Sequence, residues 1–255
     1  MIVDFLLIIA GIALVLYGAD RLTVGASALA RRMNIPEIII GLTIVAAGTS
    51  APEFFVSFMS ALKGTPDMAV GNVVGSNIFN VLLIVGITAM VTPIKVTRST
   101  VNKDMRWAIL ASGLFLFCCF GQLPLSFQGC TISRTDGIVL LAFFAIFMYV
   151  TLKTAKTDTA DTPQEKKESA VKNVFFFVAG LAMLILGSNV FVDSASNVAA
   201  SLGVSQGIIG LTIVAGGTSL PELATSVVAA KKGNSAIAIG NVIGSNVFNI
   251  LMIIG

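Results

Sequence analysis

The chain has 255 residues, 56% hydrophobic and 11% charged, with a mean hydropathy of +0.94, a net charge of +3 and no histidine. A soluble domain carries about a quarter charged residues, so the composition excludes a soluble globular protein and indicates an integral membrane protein. Apolar spans recur along the whole length, which excludes a protein that merely loses a signal peptide. With no histidine and no nucleophile–base pair, an enzyme is not expected.

A helix needs about 20 apolar residues to cross the hydrocarbon. Eight segments qualify, in chain order 2–29, 36–62, 68–92, 105–122, 136–153, 173–200, 206–230 and 235–255. The first is predicted to act as an uncleaved signal anchor. The second, third, seventh and eighth are interrupted near their centres by Gly, Ser, Thr, Asn or Pro, a pattern suited to helices that line a polar cavity. Between the fifth and sixth, the polar stretch 154–172 (TAKTDTADTPQEKKESAVK) is predicted to be a flexible cytoplasmic linker. It divides a first transmembrane half, 1–153, from a second, 173–255. The three cysteines, Cys118, Cys119 and Cys130, lack metal-site spacing and form no even framework. They read as packing residues, with a bridge from Cys130 as the alternative.

Charge sets the orientation. With the N-terminus outside, thirteen of the sixteen basic residues fall in inside loops, and only Lys63 and Arg134 fall outside, Arg21 lying within the first span. Asp20 and Arg21 are expected to pair locally near the end of the first helix, with Asn189 as the repeat counterpart of Asp20. Asp136 and Asp193 read as span-edge residues without a transport role.

Laying residues 11–86 over 180–255 needs no gap, and 35 of 76 positions are identical. The match peaks at GLTIVAAGTS over GLTIVAGGTS and at GNVVGSNIFN over GNVIGSNVFN. The copies begin at the first and sixth spans, five apart, so they insert with opposite topology. Lys63 and its counterpart Lys232 accordingly fall on opposite sides. This is the inverted repeat of many alternating-access transporters.

Each copy carries a buried-type carboxylate inside an apolar helix. In the second span Thr49, Ser50, Glu53 and Ser57 share a face, and Pro52 removes an amide hydrogen, which is expected to free the carbonyl of Gly48. In the third, Asn72, Ser76 and Asn80 form a stripe beside Gly71 and Gly75. The second copy supplies Thr218, Ser219, Pro221 and Glu222, then Asn241, Ser245 and Asn249. Folded about a pseudo-two-fold axis, these four helices would enclose one cavity at the bilayer midplane. Every donor there is oxygen, which disfavours zinc, copper and iron and suits hard cations such as Ca²⁺ and Na⁺. A charge at a helix centre costs on the order of 2.5–3.5 kcal/mol on the insertion scale, and no basic side chain within these helices offsets it. Cations or protons must do so. Protonated glutamates that only bond neighbouring helices are the plain alternative, against which their equivalent positions in Gly-Thr-Ser-x-Pro-Glu breaks argue.

GTSAPE with GNVVGSNIFN, and GTSLPE with GNVIGSNVFN, resemble the two alpha-repeats of the sodium/calcium exchanger family, within the cation/calcium antiporter superfamily, and the ten-helix prokaryotic members in particular. The resemblance runs over nearly the whole chain. It implies an all-α fold of inverted transmembrane repeats, with a pocket at the second, third, seventh and eighth helices and the first and sixth sliding past them. It implies Glu53 and Glu222 as central ligands shared by Ca²⁺ and Na⁺. Thr49, Ser50, Ser76, Thr218, Ser219 and Ser245 would line flanking sodium sites, with the backbone carbonyls of Ala46 and Ala215 contributing. Asn80 and Asn249 match the family's amide or carboxylate pair, and Asn249 in place of Asp argues against potassium coupling. The ions are cargo, and no cofactor is implied. The family's ninth and tenth helices have no counterpart before Gly255, so a truncated product, an incomplete reading frame or a partner or oligomer that supplies the missing helices is expected. Exchange of Ca²⁺ for Na⁺ in a prokaryotic plasma membrane is the leading reading. A Ca²⁺/H⁺ antiporter using the same glutamates and a non-transporting membrane protein remain open.

Overall fold

The computed structural model describes residues 1–120, 132–157 and 170–255. Cys130 and residues 158–169 of the expected linker lie outside the described residues; Cys118 and Cys119 are half-buried. Among the described residues five helices are long and apolar enough to cross a membrane, or seven if each of two bent pairs counts as one span. These are α1 (Ile2–Met33), α2 (Glu37–Thr49 as α2a and Ala51–Leu62 as α2b), α3 (Pro66–Val91), α5 (Arg134–Thr157), α6 (Ala170–Ser201), α7 (Gly207–Thr218 as α7a and Leu220–Lys231 as α7b) and α8 (Ser235–Ile253). The remaining expected span, 105–122, is helical as α4 (Met105–Phe120) up to the end of its described stretch.

α1 and α6 lie antiparallel as a closely packed pair. Gly11 and Gly187 face each other, as do Gly18 and Gly180: a Cβ on Gly11 would fall 2.9 Å from the Gly187 carbonyl oxygen, and one on Gly18 2.8 Å from that of Gly180. Small residues at a helix crossing let backbones approach where lipid gives no hydrophobic drive to associate. Asp20 does more than pair locally. Its carboxylate lies 2.5 Å from Lys232 Nζ at the end of α7b, whereas Arg21 Nε is 3.7 Å away, too long for a hydrogen bond. The Arg21 guanidinium instead lies over Tyr17 and Phe176. Asp136 sits at the start of α5, where its carboxylate accepts from the Ser133 hydroxyl at 2.6 Å.

α8 lies at the centre of the described structure. Its outer face (Ile243, Val247, Ile250, Leu251) packs with Trp107 of α4 and Leu140, Phe144 and Phe147 of α5. The repeat counterparts of that face on α3 are open: Val247 is 0% exposed against 55% for Ile78, and Leu251 0% against 70% for Leu82. The repeat therefore governs sequence and backbone, while the surroundings of its two copies differ.

Candidate functional site

The two breaks position the site. α2 bends by 47° at Ser50 and α7 by 44° at Ser219. Both serines leave helical geometry, with ψ near zero, and the proline that follows sits in the first turn of the next half-helix, where its missing N–H costs nothing. The freed carbonyl expected at Gly48 is not found: it accepts a backbone N–H at the Ser50 cap, as Gly217 does at Ser219. A non-helical turn lets the chain re-satisfy what proline removes. The sequence did not signal the π-helical turns that precede the breaks, Gly41–Val45 and Gly210–Val214, or those within α3 and α8, Asn80–Ile84 and Asn249–Ile253. Such one-turn expansions are common at functional sites.

Glu53 and Glu222 are both fully buried, and the breaks are cross-linked through them. Ser50 Oγ donates to Glu222 Oε1 at 2.9 Å, and Ser219 Oγ donates to Glu53 Oε1 at 2.9 Å. Ser245 Oγ lies 3.4 Å from Glu222 Oε1; Ser76 is buried but makes no equivalent bond among the described residues. Asn72 and Asn241 serve the helix breaks rather than the carboxylates. Asn72 Nδ2 donates to the Glu53 carbonyl oxygen and Ser57 Oγ, and Asn241 Nδ2 to the Glu222 carbonyl oxygen and Ser226 Oγ.

Asn80 and Asn249 are oriented by two residues that the sequence reading passed over. Asn80 Nδ2 donates to Asn246 Oδ1 and Asn249 Nδ2 to Asn77 Oδ1, each at 3.0 Å. With the amide nitrogens so engaged, the oxygens remain. Glu53 Oε2, Glu222 Oε2, Asn80 Oδ1 and Asn249 Oδ1 are all buried and have no hydrogen-bond partner among the described residues. Buried polar atoms are nearly always paired, and these four unpaired acceptors, two from each repeat, make up a set of the oxygen type that hard cations take. Among the described residues no cluster of three or more His, Cys, Asp or Glu competes with it. The signal for Asn77 and Asn246 was present in the conserved GSN of both copies, but only the folded chain brings them across the axis.

The site is unequally enclosed. Thr49 and Ala46 are buried, Thr49 Oγ1 bonding Asn241 Oδ1 at 3.0 Å and the Ala46 carbonyl accepting from Thr49 Oγ1 and the Ser50 N–H. Their counterparts face outward: Ala215 is exposed, Thr218 is half-buried, and Thr218 Oγ1 bonds the Ala215 carbonyl. Thr218 lines a cavity of about 440 Å³ between α2b, α6 and α7a. The same inequality runs through the glycines. A Cβ on Gly240 would fall 2.7 Å from the Ile38 carbonyl oxygen and one on Gly244 2.5 Å from that of Leu42, so α2a and α8 are in backbone contact. The counterparts Gly71 and Gly75 on α3, and Gly210 on α7a as the counterpart of Gly41, meet nothing within 4 Å among the described residues.

Inverted helical repeats around paired, buried oxygen donors define a membrane-embedded ion transporter. The family model for "Sodium/calcium exchanger protein" matches residues 3–153 and 172–255, and the chain belongs to the sodium/calcium exchanger family. It is 41% identical to the "Putative antiporter CaxA" of Alkalimonas amylolytica, with 100% of this chain and 80% of that one covered. It is 31% identical to the "Sodium/calcium exchanger MaX1" of Methanosarcina acetivorans, over 99% of this chain and 82% of the relative. The solved structure of the sodium-calcium exchanger NCX_Mj soaked with 2.5 mM Na⁺ and 1 mM Sr²⁺ superposes with a TM-score of 0.85 at 32% identity, over 100% of this chain and 81% of that one.

Proposed function

We propose that the chain is a secondary antiporter that exchanges Ca²⁺ for Na⁺ by alternating access, with Glu53 and Glu222 as ligands common to both ions. The observation that carries this reading is the set of four buried, unpaired oxygens on Glu53, Glu222, Asn80 and Asn249. Two carboxylates neutralise one divalent ion, and the neutral amide oxygens raise the oxygen count toward what calcium takes. The hydroxyls of Thr49, Ser50, Ser76, Thr218, Ser219 and Ser245, with the carbonyls of Ala46 and Ala215, serve flanking sodium sites. The unequal enclosure of the two repeats supports alternation: α2a is closed on α8 while α7a stands off α3. Exchanging these two arrangements between the repeats would open the other side. With the N-terminus outside, as the basic residues imply, the open side is the outer one.

We extend the proposal to the bare face of α3. Two further transmembrane helices, of the kind α4 and α5 provide to α8, cover Ile78 and Leu82 in the working transporter. Nitroxide labels at Leu82 that contact only lipid in active protein would contradict this.

The exchange itself is tested by uptake of radiolabelled calcium into proteoliposomes under separately imposed sodium and proton gradients. Uptake driven by an outward sodium gradient is expected. Uptake that ignores sodium but follows the pH gradient would replace this reading with Ca²⁺/H⁺ antiport, and no uptake under either would make the chain a non-transporter.

A further inference from the structure

The lysines that close α2 and α7, Lys63 and Lys232, are repeat counterparts, each followed by a positive-φ glycine, Gly64 and Gly233. Their surroundings differ. Lys232 Nζ lies 2.5 Å from Asp20 Oδ1 and donates to the Asp20 carbonyl oxygen at 3.3 Å, tying the end of α7b twice to α1. Two residues on, Asn234 Nδ2 donates to Ser27 Oγ of α1 at 2.7 Å. Lys63 is exposed and makes no ion pair among the described residues.

The α6 counterparts of Asp20 and Ser27 are Asn189 and Ser196. Here the contacts are unmade. The Ser196 hydroxyl is buried without a partner among the described residues, as is that of Ser188. Asn189, Ser188 and Asp193 line the 440 Å³ cavity that separates α6 from α2b. Asp193 follows Asn189 by one helical turn on the same face and is exposed, with no ion-pair partner among the described residues. At one end of the molecule Lys232 and Asp20 are thus paired, and Asn234 and Ser27 are bonded beside them. At the other, Lys63 and Asp193 make no ion pair among the described residues, and Asp193 borders the cavity between α6 and α2b.

We propose that Lys232 and Lys63 form an exchanging ionic latch: here Lys232 holds α1 through Asp20, and in the opposite conformation the cavity closes, Lys63 pairs with Asp193 beside Asn189 on α6, and the Lys232–Asp20 pair opens. Trading one lysine–aspartate pair for another keeps the two end states close in energy, which a carrier that must populate both requires. The Lys232–Asp20 pair is about a third exposed, at 33% and 38% of the side chains, so it can break and re-form without stranding a buried charge. The latch rests on the alternating-access reading above.

The test uses a single reporter, Val214→Cys, on the wall of the cavity and 39% exposed. The full chain, with Cys118, Cys119 and Cys130 replaced by Ser, is placed in lipid nanodiscs and labelled with a soluble thiol reagent. Lys232→Gln should slow labelling roughly three-fold, the size an exposed ion pair carries. Adding Lys63→Gln to it should restore the rate, because the closed-cavity state then loses its own latch. The charge-swapped pair Asp20→Lys with Lys232→Asp should also label at the original rate, which separates the latch from simple misfolding. No slowing in Lys232→Gln, a double variant that stays slow, or a charge swap without recovery each overturns the latch. Labelling of the reporter that never responds to sodium or calcium would instead defeat alternating access itself. Labelling that follows the ions but ignores both lysines defeats the latch alone and would leave Asp193 free to hold a cation.

Discussion

Ser50 Oγ of α2 donates to Glu222 Oε1 of α7 across 2.9 Å, joining the break in one repeat to the carboxylate of the other. Ser219 and Glu53 return the bond in the opposite sense. Each carboxylate thereby spends one oxygen on the partner repeat and keeps the second unpaired. A cation held between the free oxygens would sense the relative position of both helix breaks, which links occupancy to conformation.

The amide pairs make the same point for Asn80 and Asn249. Asn246→Leu removes the acceptor of Asn80 Nδ2 and lets the Asn80 amide rotate. Loss of such an orienting partner typically costs about 10–100-fold in metal affinity, and that weakening is expected in calcium titrations of the purified protein, with Asn77→Leu acting alike through Asn249. Unchanged affinity in both would show that the amide oxygens are not ligands.

The glycines should respond oppositely to alanine. Gly244→Ala places a Cβ 2.5 Å from the Leu42 carbonyl oxygen and 2.7 Å from the Ala46 Cβ, an overpacking expected to cost about 1–3 kcal/mol. Gly75→Ala meets nothing in this conformation, so its thermal unfolding should match the parent while its exchange rate falls, because α7a can no longer close on α3. Normal exchange in Gly75→Ala would contradict the swap of the two enclosures.

Much of this was legible in the sequence. Hydropathy gives the spans, and a constant offset between residues 11–86 and 180–255 gives the inverted repeat. Glu53 and Glu222 stand out because a carboxylate in a lipid-spanning helix needs a reason. What could not be read is the asymmetry. Gly41 and Gly210 lie in near-identical strings, yet one is packed on α8 and the other is open, because exposure depends on conformation and on neighbours such as Phe147 that the repeat does not encode. The roles of Asn77 and Asn246 also stayed hidden. Their bonds join residues more than 160 apart in the chain, beyond any helical periodicity. The Lys232–Asp20 pair was missed because Arg21 is the nearer charge in sequence and Lys232 the nearer in space.

Exchange should move charge. On the proposed reading one Ca²⁺ would neutralise the two glutamates and the flanking hydroxyls and carbonyls would leave room for a third sodium, so about three Na⁺ per Ca²⁺ are expected from the family resemblance. One net charge crossing the membrane is worth ~2.3 kcal/mol per 100 mV. Calcium uptake into sodium-loaded vesicles should accelerate when a potassium diffusion potential makes the interior positive. A rate indifferent to that potential would indicate electroneutral exchange.

Orientation is checked with single cysteines in a background without native ones. Ser99→Cys and Asp67→Cys both lie on exposed segments, at opposite ends of α3. In intact cells an impermeant thiol reagent should label Asp67→Cys and spare Ser99→Cys. The reverse pattern would invert the topology.

The central claim is that Glu53 and Glu222 jointly hold the transported calcium. Sodium-driven uptake of radiolabelled calcium by reconstituted Glu53→Gln and Glu222→Gln, each compared with the parent at equal amounts of folded protein, tests it most directly. Each amide leaves the helix break intact but removes half of the charge that neutralises Ca²⁺, so both variants should lose nearly all uptake. Near-parental uptake in either one would contradict the shared site.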